Sequence, residues 1–217
     1  LFLEWEERFG EGCSYIKNGY LHVTGEDNEP TVRQTHEMLL AEGIESHWLE
    51  PREIKKLQPI LHCRDLTGAA WEPQSGWADP VAAIRSLAKG AQASGVGIEE
   101  GVAVLQIAHK GGKIVGVETD KGFVSTNTVV LCAGPWTPLL HPLPSVPLPI
   151  RAKRGQVCYI NRPNGLPKVE LAFYDEITGL YTHPDGDTNL IGIDWDFDEI
   201  WDPNRYDQQI DPDDIST

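Results

Sequence analysis

The sequence predicts an α+β fold, a mixed and mainly antiparallel sheet with helices, joined to a smaller strand-turn-strand portion. Three observations predict it. Between residues 154 and 195 four short segments rich in branched and aromatic residues alternate with turn residues, as neighbouring antiparallel strands do. Pro51 and Pro80 each stand at the first position of a helical pattern that lies among strand-like runs. Residues 97–123 read as two strands around a turn at Gly111-Gly112, with a second turn at Asp120-Lys121-Gly122.

Each element follows from its residues. The opening 23 residues suggest a short helix and then a strand centred on Gly19 to Val23. GEDNEPT supplies a turn and a helix start, and Val32, Met38, Leu39 and Leu40 suit a helix ending at Gly43. Ser46 to Leu49 is a brief extended stretch, and LEPREIKKLQP a helix closed by Pro59. Leu66 to Glu72 reads as a strand. At Asp79-Pro80 an acidic cap opens a helix that runs through Ala82, Ile84, Leu87 and Ala88 to Gly95. After the turn at 120–122 a further strand is expected to end at Ala133. Residues 141–149, HPLPSVPLP, can be neither helix nor central strand and read as a crossover. RGQVCYI, VELAFYD, GLYTHP and NLIGIDW then form the antiparallel set.

Composition narrows the function classes. A 217-residue chain with 40% hydrophobic residues and seven Trp belongs to the globular class. No apolar run approaches the ~20 residues of a membrane helix. The net charge of -15 gathers near both ends and opposes binding to phosphate backbones and anionic lipid, so nucleic acid is excluded as a partner. The aspartate-rich stretch DWDFDEIWDPN lacks the central Gly and terminal Glu of a calcium loop. Cys13, Cys63, Cys132 and Cys158 form no CxxC pair, and His62-Cys63 has no ligand partners at zinc spacing, so no metal is expected. The cysteine usage suits a reducing cytoplasm.

The most informative stretch is TVVLCAGPW at 128–136. Its branched run suits a buried strand, and the Ala133-Gly134 pair lets another molecule approach the backbone closely. Five further segments accompany it in order: Gly19-Tyr20-Leu21, LEPREIKKLQPIL at 49–61, SGWADPVAAIRSLAKGAQASGV at 75–96, RAKRGQ at 151–156 and GLYTHPDGDTNLIG at 179–192. Together they resemble the D-amino-acid oxidase-like family of FAD-dependent amine oxidoreductases, of the glycine oxidase and sarcosine oxidase type, over nearly the whole chain.

That resemblance implies a substrate-side sheet from residues 1–78 and 150–217, and a partial FAD-binding portion, a βαβ-meander, over 79–140. Family members open with a strand, a GxGxxG turn and a helix that holds the FAD pyrophosphate. No such element occurs here. Gly95-Val96-Gly97-Ile98-Glu99-Glu100 fails at the third glycine and precedes a strand. The second glycine-rich element of the family is missing too, and the chain is expected to be an internal piece of a longer flavoprotein, inactive alone.

The resemblance also assigns residues. Val104 stands where a backbone amide and carbonyl meet the adenine ring, Ala133 and Gly134 beside the ribose and pyrophosphate, and Trp136 sheltering that edge. Tyr181 occupies a substrate-facing tyrosine position and Asp194 a variable pocket position, where a carboxylate could pair with an ammonium. Arg154, beside Arg151, forms a basic island that could face an anionic substrate or the flavin phosphates. The cofactor performs the electron chemistry in such enzymes, so no catalytic triad is expected and no catalytic residue is assigned. Leu190 stands where some amine oxidases carry a Lys near the flavin, which leaves oxidase and dehydrogenase both open.

The expected activity is oxidation of the C–N bond of a small amino acid or secondary amine. Two alternatives stand beside it. One is a non-catalytic binding or assembly module with a degenerate flavin site, motivated by the missing fingerprint and the acidic charge. The other is an FAD-dependent 2-hydroxy acid or glycerol-phosphate type dehydrogenase, against which the acidic charge speaks in its phosphorylated form.

Overall fold

The computed structural model describes residues 1–140, 148–162, 164–165, 169–194, 199–200 and 202–209. In chain order the elements are α1 (Trp5–Phe9), β1 (Tyr20–Thr24), α2 (Glu29–Ala41), β2 (His47–Leu49), α3 (Pro51–Leu57), β3 (Gly68–Glu72) and α4 (Pro80–Ala93). Three strands follow, β4 (Val104–Lys110), β5 (Lys113–Thr119) and β6 (Gly122–Ser125). Then come α5 (Thr137–Leu140), β7 (Ala152–Lys153), β8 (Val157–Asn161), β9 (Ala172–Asp175), β10 (Leu180–Asp185), β11 (Thr188–Ile193) and β12 (Glu199–Ile200). They form two compact units, residues 1–96 with 155–196 and residues 97–154 with 197–217.

The first unit is a seven-stranded mixed sheet in the order β2-β3-β1-β9-β10-β11-β8. Neighbours are antiparallel except β1 and β9, which run parallel and join the two separated chain segments in one sheet, as the sequence implies. Alternation along β1 decides the core. Leu21 and Val23 point to one face, where they pack with Ile54, Ala69, Leu171 and Phe173. Burial of a side chain such as Leu21 or Ile54 contributes roughly 2 kcal/mol. Ile54 arrives on α3, whose start carries a reciprocal capping box between Glu50 and Glu53.

On the other face, α2 lies over the β3–β2 end, where the Arg33 guanidinium stacks 3.8 Å above the Trp48 ring. Helix α4 starts where the sequence places it, with the Asp79 carboxylate accepting from the Val81 and Ala82 amides. It packs on α1 through Ser86, which accepts from the Trp5 indole at 3.0 Å and donates to the Glu11 carbonyl at 2.7 Å.

The second unit carries the three-stranded meander β4-β5-β6 and the two-stranded pair β12-β7. Here one sequence expectation fails. Strand β6 stops at Ser125, and residues 128–133 pair with no strand among the described residues. Val130 is 81% exposed. A branched run becomes a strand only where neighbours take up its backbone polar groups and cover its faces, and propensity does not substitute for them.

By packing, the compact units change over at 96/97, 154/155 and 196/197. Helix α4 belongs with α1 in the first unit, and residues 150–154 belong to the second. Residues 141–147 of the proline-rich crossover lie outside the described residues.

Candidate functional site

The register of the seven-stranded sheet brings a row of side chains together on the face opposite the Leu21 core. His22 pairs with Tyr174, Tyr174 with Tyr181, and Tyr181 with Gly192, so the row crosses β1, β9, β10 and β11. Tyr20 and Glu72 form the next row of the same face.

Tyr181 leans toward β11. A Cβ built on Gly192 would meet the Tyr181 ring at 2.2 Å and its hydroxyl oxygen at 2.3 Å, so the ring occupies the space a side chain there would need. Asp194 follows two residues later, exposed, with its backbone N–H closing on the Gly179 carbonyl at 2.7 Å. Burial first, and then the Asp194 charge, push the Tyr181 phenol above its ordinary pKa. The sequence thus picks two residues that the fold does bring together.

The other members of the row were not legible in the sequence. His22 Nε2 lies 2.6 Å from Glu176 Oε2. The His22 ring meets Tyr174 edge-on, with centroids 5.1 Å apart at 81°. Burial, followed by the charges of Glu176, Asp194 and Asp175, raises the Tyr174 phenol. Tyr20 is pushed up to about 12 by burial, then by Glu72, Tyr174 and Glu176. At neutral pH this face therefore presents intact phenols set in a negative field. Such a surface suits the ammonium end of a ligand and repels an unpaired carboxylate. At the end of β10, His183 stacks on Trp77 at 4.5 Å.

The remaining sequence candidates lie in the second unit. Val104 opens β4 opposite Thr119, next to a register irregularity at Leu105 that interrupts the ladder. Ala133 and Gly134 lead into a 3₁₀ turn, Gly134–Trp136, and then α5, which packs against β4. Gly134 is left-handed, with φ +52°, and no atom stands within 4 Å of where its Cβ would be. The Trp136 indole donates to Asn204 Oδ1 at 3.0 Å, and the ring stays 43% exposed. Arg154 is half-buried, and its guanidinium donates to the Gln209 backbone carbonyl. No group of His, Cys, Asp and Glu able to hold a metal occurs among the described residues.

A family model described as DAO, FAD dependent oxidoreductase, matches residues 1–217, the whole chain. The chain belongs to the DAO family of FAD-dependent oxidoreductases. Among the relatives of this DAO-family chain is the mitochondrial sarcosine dehydrogenase of Mus musculus, 30% identical over 198 residues, which are 86% of this chain and 21% of that protein. The bifunctional protein ThiO/ThiG of Synechocystis sp. is 36% identical over 120 residues, 55% of this chain and 17% of that protein. The mitochondrial pyruvate dehydrogenase phosphatase regulatory subunit of Mus musculus is 30% identical over 137 residues, 63% of this chain and 16% of that protein. The chain thus spans about a fifth of the length of the curated relatives it matches. In fold it is similar to L-proline dehydrogenase from P. horikoshii, with a TM-score of 0.82 and 24% identity over 99% of this chain and 57% of that one. Glycine oxidase from Geobacillus kaustophilus gives a TM-score of 0.74 at 21% identity, over 99% of this chain and 56% of that one.

FAD is the cofactor of the DAO family. On the side of the candidate cofactor residues, the structure shows open space where a Gly134 Cβ would stand and a ladder interrupted beside Val104. The motif that would hold the pyrophosphate is not in the sequence. Among the described residues no helix is long and apolar enough to cross a membrane.

Proposed function

We propose that this chain is the substrate-side portion of an FAD-dependent oxidoreductase that oxidises the C–N bond of a small amino acid or secondary amine to an imine, which water then hydrolyses. The observation that carries this reading is the Tyr181 ring leaning over Gly192 beside Asp194, in a chain of the DAO family. Bound FAD would accept the hydride, or two electrons and a proton, from the C–N unit. The chain's own residues hold the amine. Tyr181 and Tyr174 offer hydroxyls and ring faces, Asp194 attracts the ammonium, and the apolar rings displace water from it.

Val104, Ala133 and Gly134 are assigned to the adenine and ribose end of the cofactor, with Trp136 at its edge. Arg154 is kept as a candidate for an anionic group. The substrate side comprises residues 1–78 and 150–217, and residues 79–140 serve the cofactor. Leu190, on the Tyr181 face of β11, puts no cation there, which supports a dehydrogenase. Four unpaired cysteines support a reducing compartment such as the cytoplasm, although the sarcosine dehydrogenase relative carries a mitochondrial name.

The test is the visible spectrum of the full-length protein, followed without oxygen as sarcosine, glycine and D-proline are added. Bleaching of a flavin band by one of them is the expected result, with Tyr181→Phe slowing it. Slow reoxidation in air and fast reoxidation by an artificial dye would identify the dehydrogenase. A colourless protein would transfer the reading to a binding or assembly module, which the similarity to the phosphatase regulatory subunit favours. Bleaching by a hydroxy acid instead would name the third class.

A further inference from the structure

We propose that His22 is a positioning residue that fixes the tilt of Tyr181 through Tyr174. The row on the sheet face runs His22, Tyr174, Tyr181 and Gly192 on four adjacent strands. Three of these positions carry rings, and the fourth carries no side chain. A row of that composition has one direction in which it can relax, toward Gly192, and the Tyr181 ring already fills that space.

The opposite end of the row is anchored. Glu176 is held by its backbone on both sides, its N–H donating to the Val23 carbonyl at 3.0 Å and its own carbonyl accepting from the Asn28 amide at 3.0 Å. Its carboxylate, 2.6 Å from His22 Nε2, therefore fixes the imidazole from a rigid point. The imidazole stands edge-on to Tyr174, which limits the swing of that ring. Tyr174 in turn is the directly opposed cross-strand partner of Tyr181 on the β9 side, the spacing at which neighbouring side chains on one sheet face meet. The tilt that lays Tyr181 over Gly192 is thus set two strands away, by a pair separated by 154 positions in the sequence.

The functional meaning of this row rests on the reading of Tyr181 as a substrate-facing residue. The coupling itself does not, and it is measurable in this chain. With ring-¹³C tyrosine the six Tyr signals can be assigned by single Tyr→Phe changes. His22→Ala is expected to shift and broaden both the Tyr174 and the Tyr181 ring signals, while leaving Tyr206 unchanged. Glu176→Gln, which keeps the imidazole but weakens its anchor, should act in the same direction with smaller amplitude. In a Tyr174→Leu background, adding His22→Ala should leave Tyr181 where Tyr174→Leu alone put it.

A Tyr181 signal indifferent to both His22→Ala and Glu176→Gln would overturn the proposal, as would an effect on Tyr181 that persists without the Tyr174 ring. Should His22→Ala lose its dispersed spectrum, His22→Phe keeps a ring against Tyr174 without the Glu176 contact, and the same two signals decide. In the full-length flavoprotein, Glu176→Gln is expected to lower kcat/KM roughly threefold to thirtyfold, and His22→Gln, which can still donate to Glu176, less than His22→Ala. Unchanged kinetics in Tyr181→Phe alongside intact ring coupling would sink the substrate reading and leave the positioning row standing.

Discussion

At the scale of single residues, the candidate site depends on one missing side chain. Gly192→Ala places a methyl group 2.2 Å from the Tyr181 ring, far inside contact distance, so the ring must leave or the strands must part. The expected cost is about 1–3 kcal/mol of stability, as for other overpacking changes, read as a lower melting temperature together with a displaced Tyr181 ring signal. Unchanged melting with an unmoved Tyr181 signal would show that the close fit is not real. Tyr20 supplies a second expectation. Burial and the neighbouring Glu72 raise its phenol from the ordinary 10 to about 12. Below pH 10 both folded and unfolded chains keep the proton. Between 10 and about 12 the unfolded chain releases it and the folded chain does not, so the folded state binds more protons and loses stability as pH rises. Stability should therefore fall less steeply with rising pH in Tyr20→Phe than in the parent chain across that window. Equal slopes would place the Tyr20 phenol in water.

At the scale of elements, what could be read in advance was what neighbours in sequence decide. Strand β1 is visible because alternation within a few residues sets its two faces, β10 and β11 because a Pro-Asp-Gly turn divides two strand-like runs, and α4 because Asp79-Pro80 builds its own cap. Tyr181 and Asp194 came through the resemblance of a single hairpin. What long-range packing decides stayed hidden. Nothing in YLHVT announces that His22 will meet Glu176, and nothing in TVVLCA reveals whether strands will flank it. The same limit applies to helix α4, which its pattern places but whose packing partner its pattern does not name. Its partner is α1, reached through Ser86, which is buried and bonded to both the Trp5 indole and the Glu11 carbonyl. Ser86→Ala removes the acceptor of a buried indole and the donor to a carbonyl, and is expected to cost about 1–3 kcal/mol in denaturant unfolding. Ser86→Thr restores the hydroxyl and should recover part of that loss. An alanine variant as stable as the parent would mean that water serves Trp5 equally well.

At the scale of the whole molecule, the two units differ in how far they satisfy their own surfaces. The first unit buries Leu21, Val23, Ile54 and Ala69 to 1% exposure or less, a closed core of its own. The second buries Ile107 alone among its described hydrophobic residues and leaves Leu105 at 61%, Phe123 and Val124 at 55% and Val130 at 81% exposed. That contrast bears on the cofactor. Val104, Ala133 and Gly134 can offer backbone groups and an open approach, but the phosphates of FAD carry most of its charge, and the sequence holds neither a GxGxxG turn nor the helix start that would receive them. Adenine-side contacts without a phosphate cradle are worth little. Titration of this chain with FAD, followed by quenching of flavin fluorescence, is accordingly expected to show binding weaker than roughly 100 µM. The net charge of -15 acts in the same direction, so raising the salt should strengthen what binding there is rather than weaken it. Low-micromolar binding that Gly134→Val abolishes would instead assign the main cofactor contacts to the turn at Ala133-Gly134, and would make this chain a flavin-binding body in its own right.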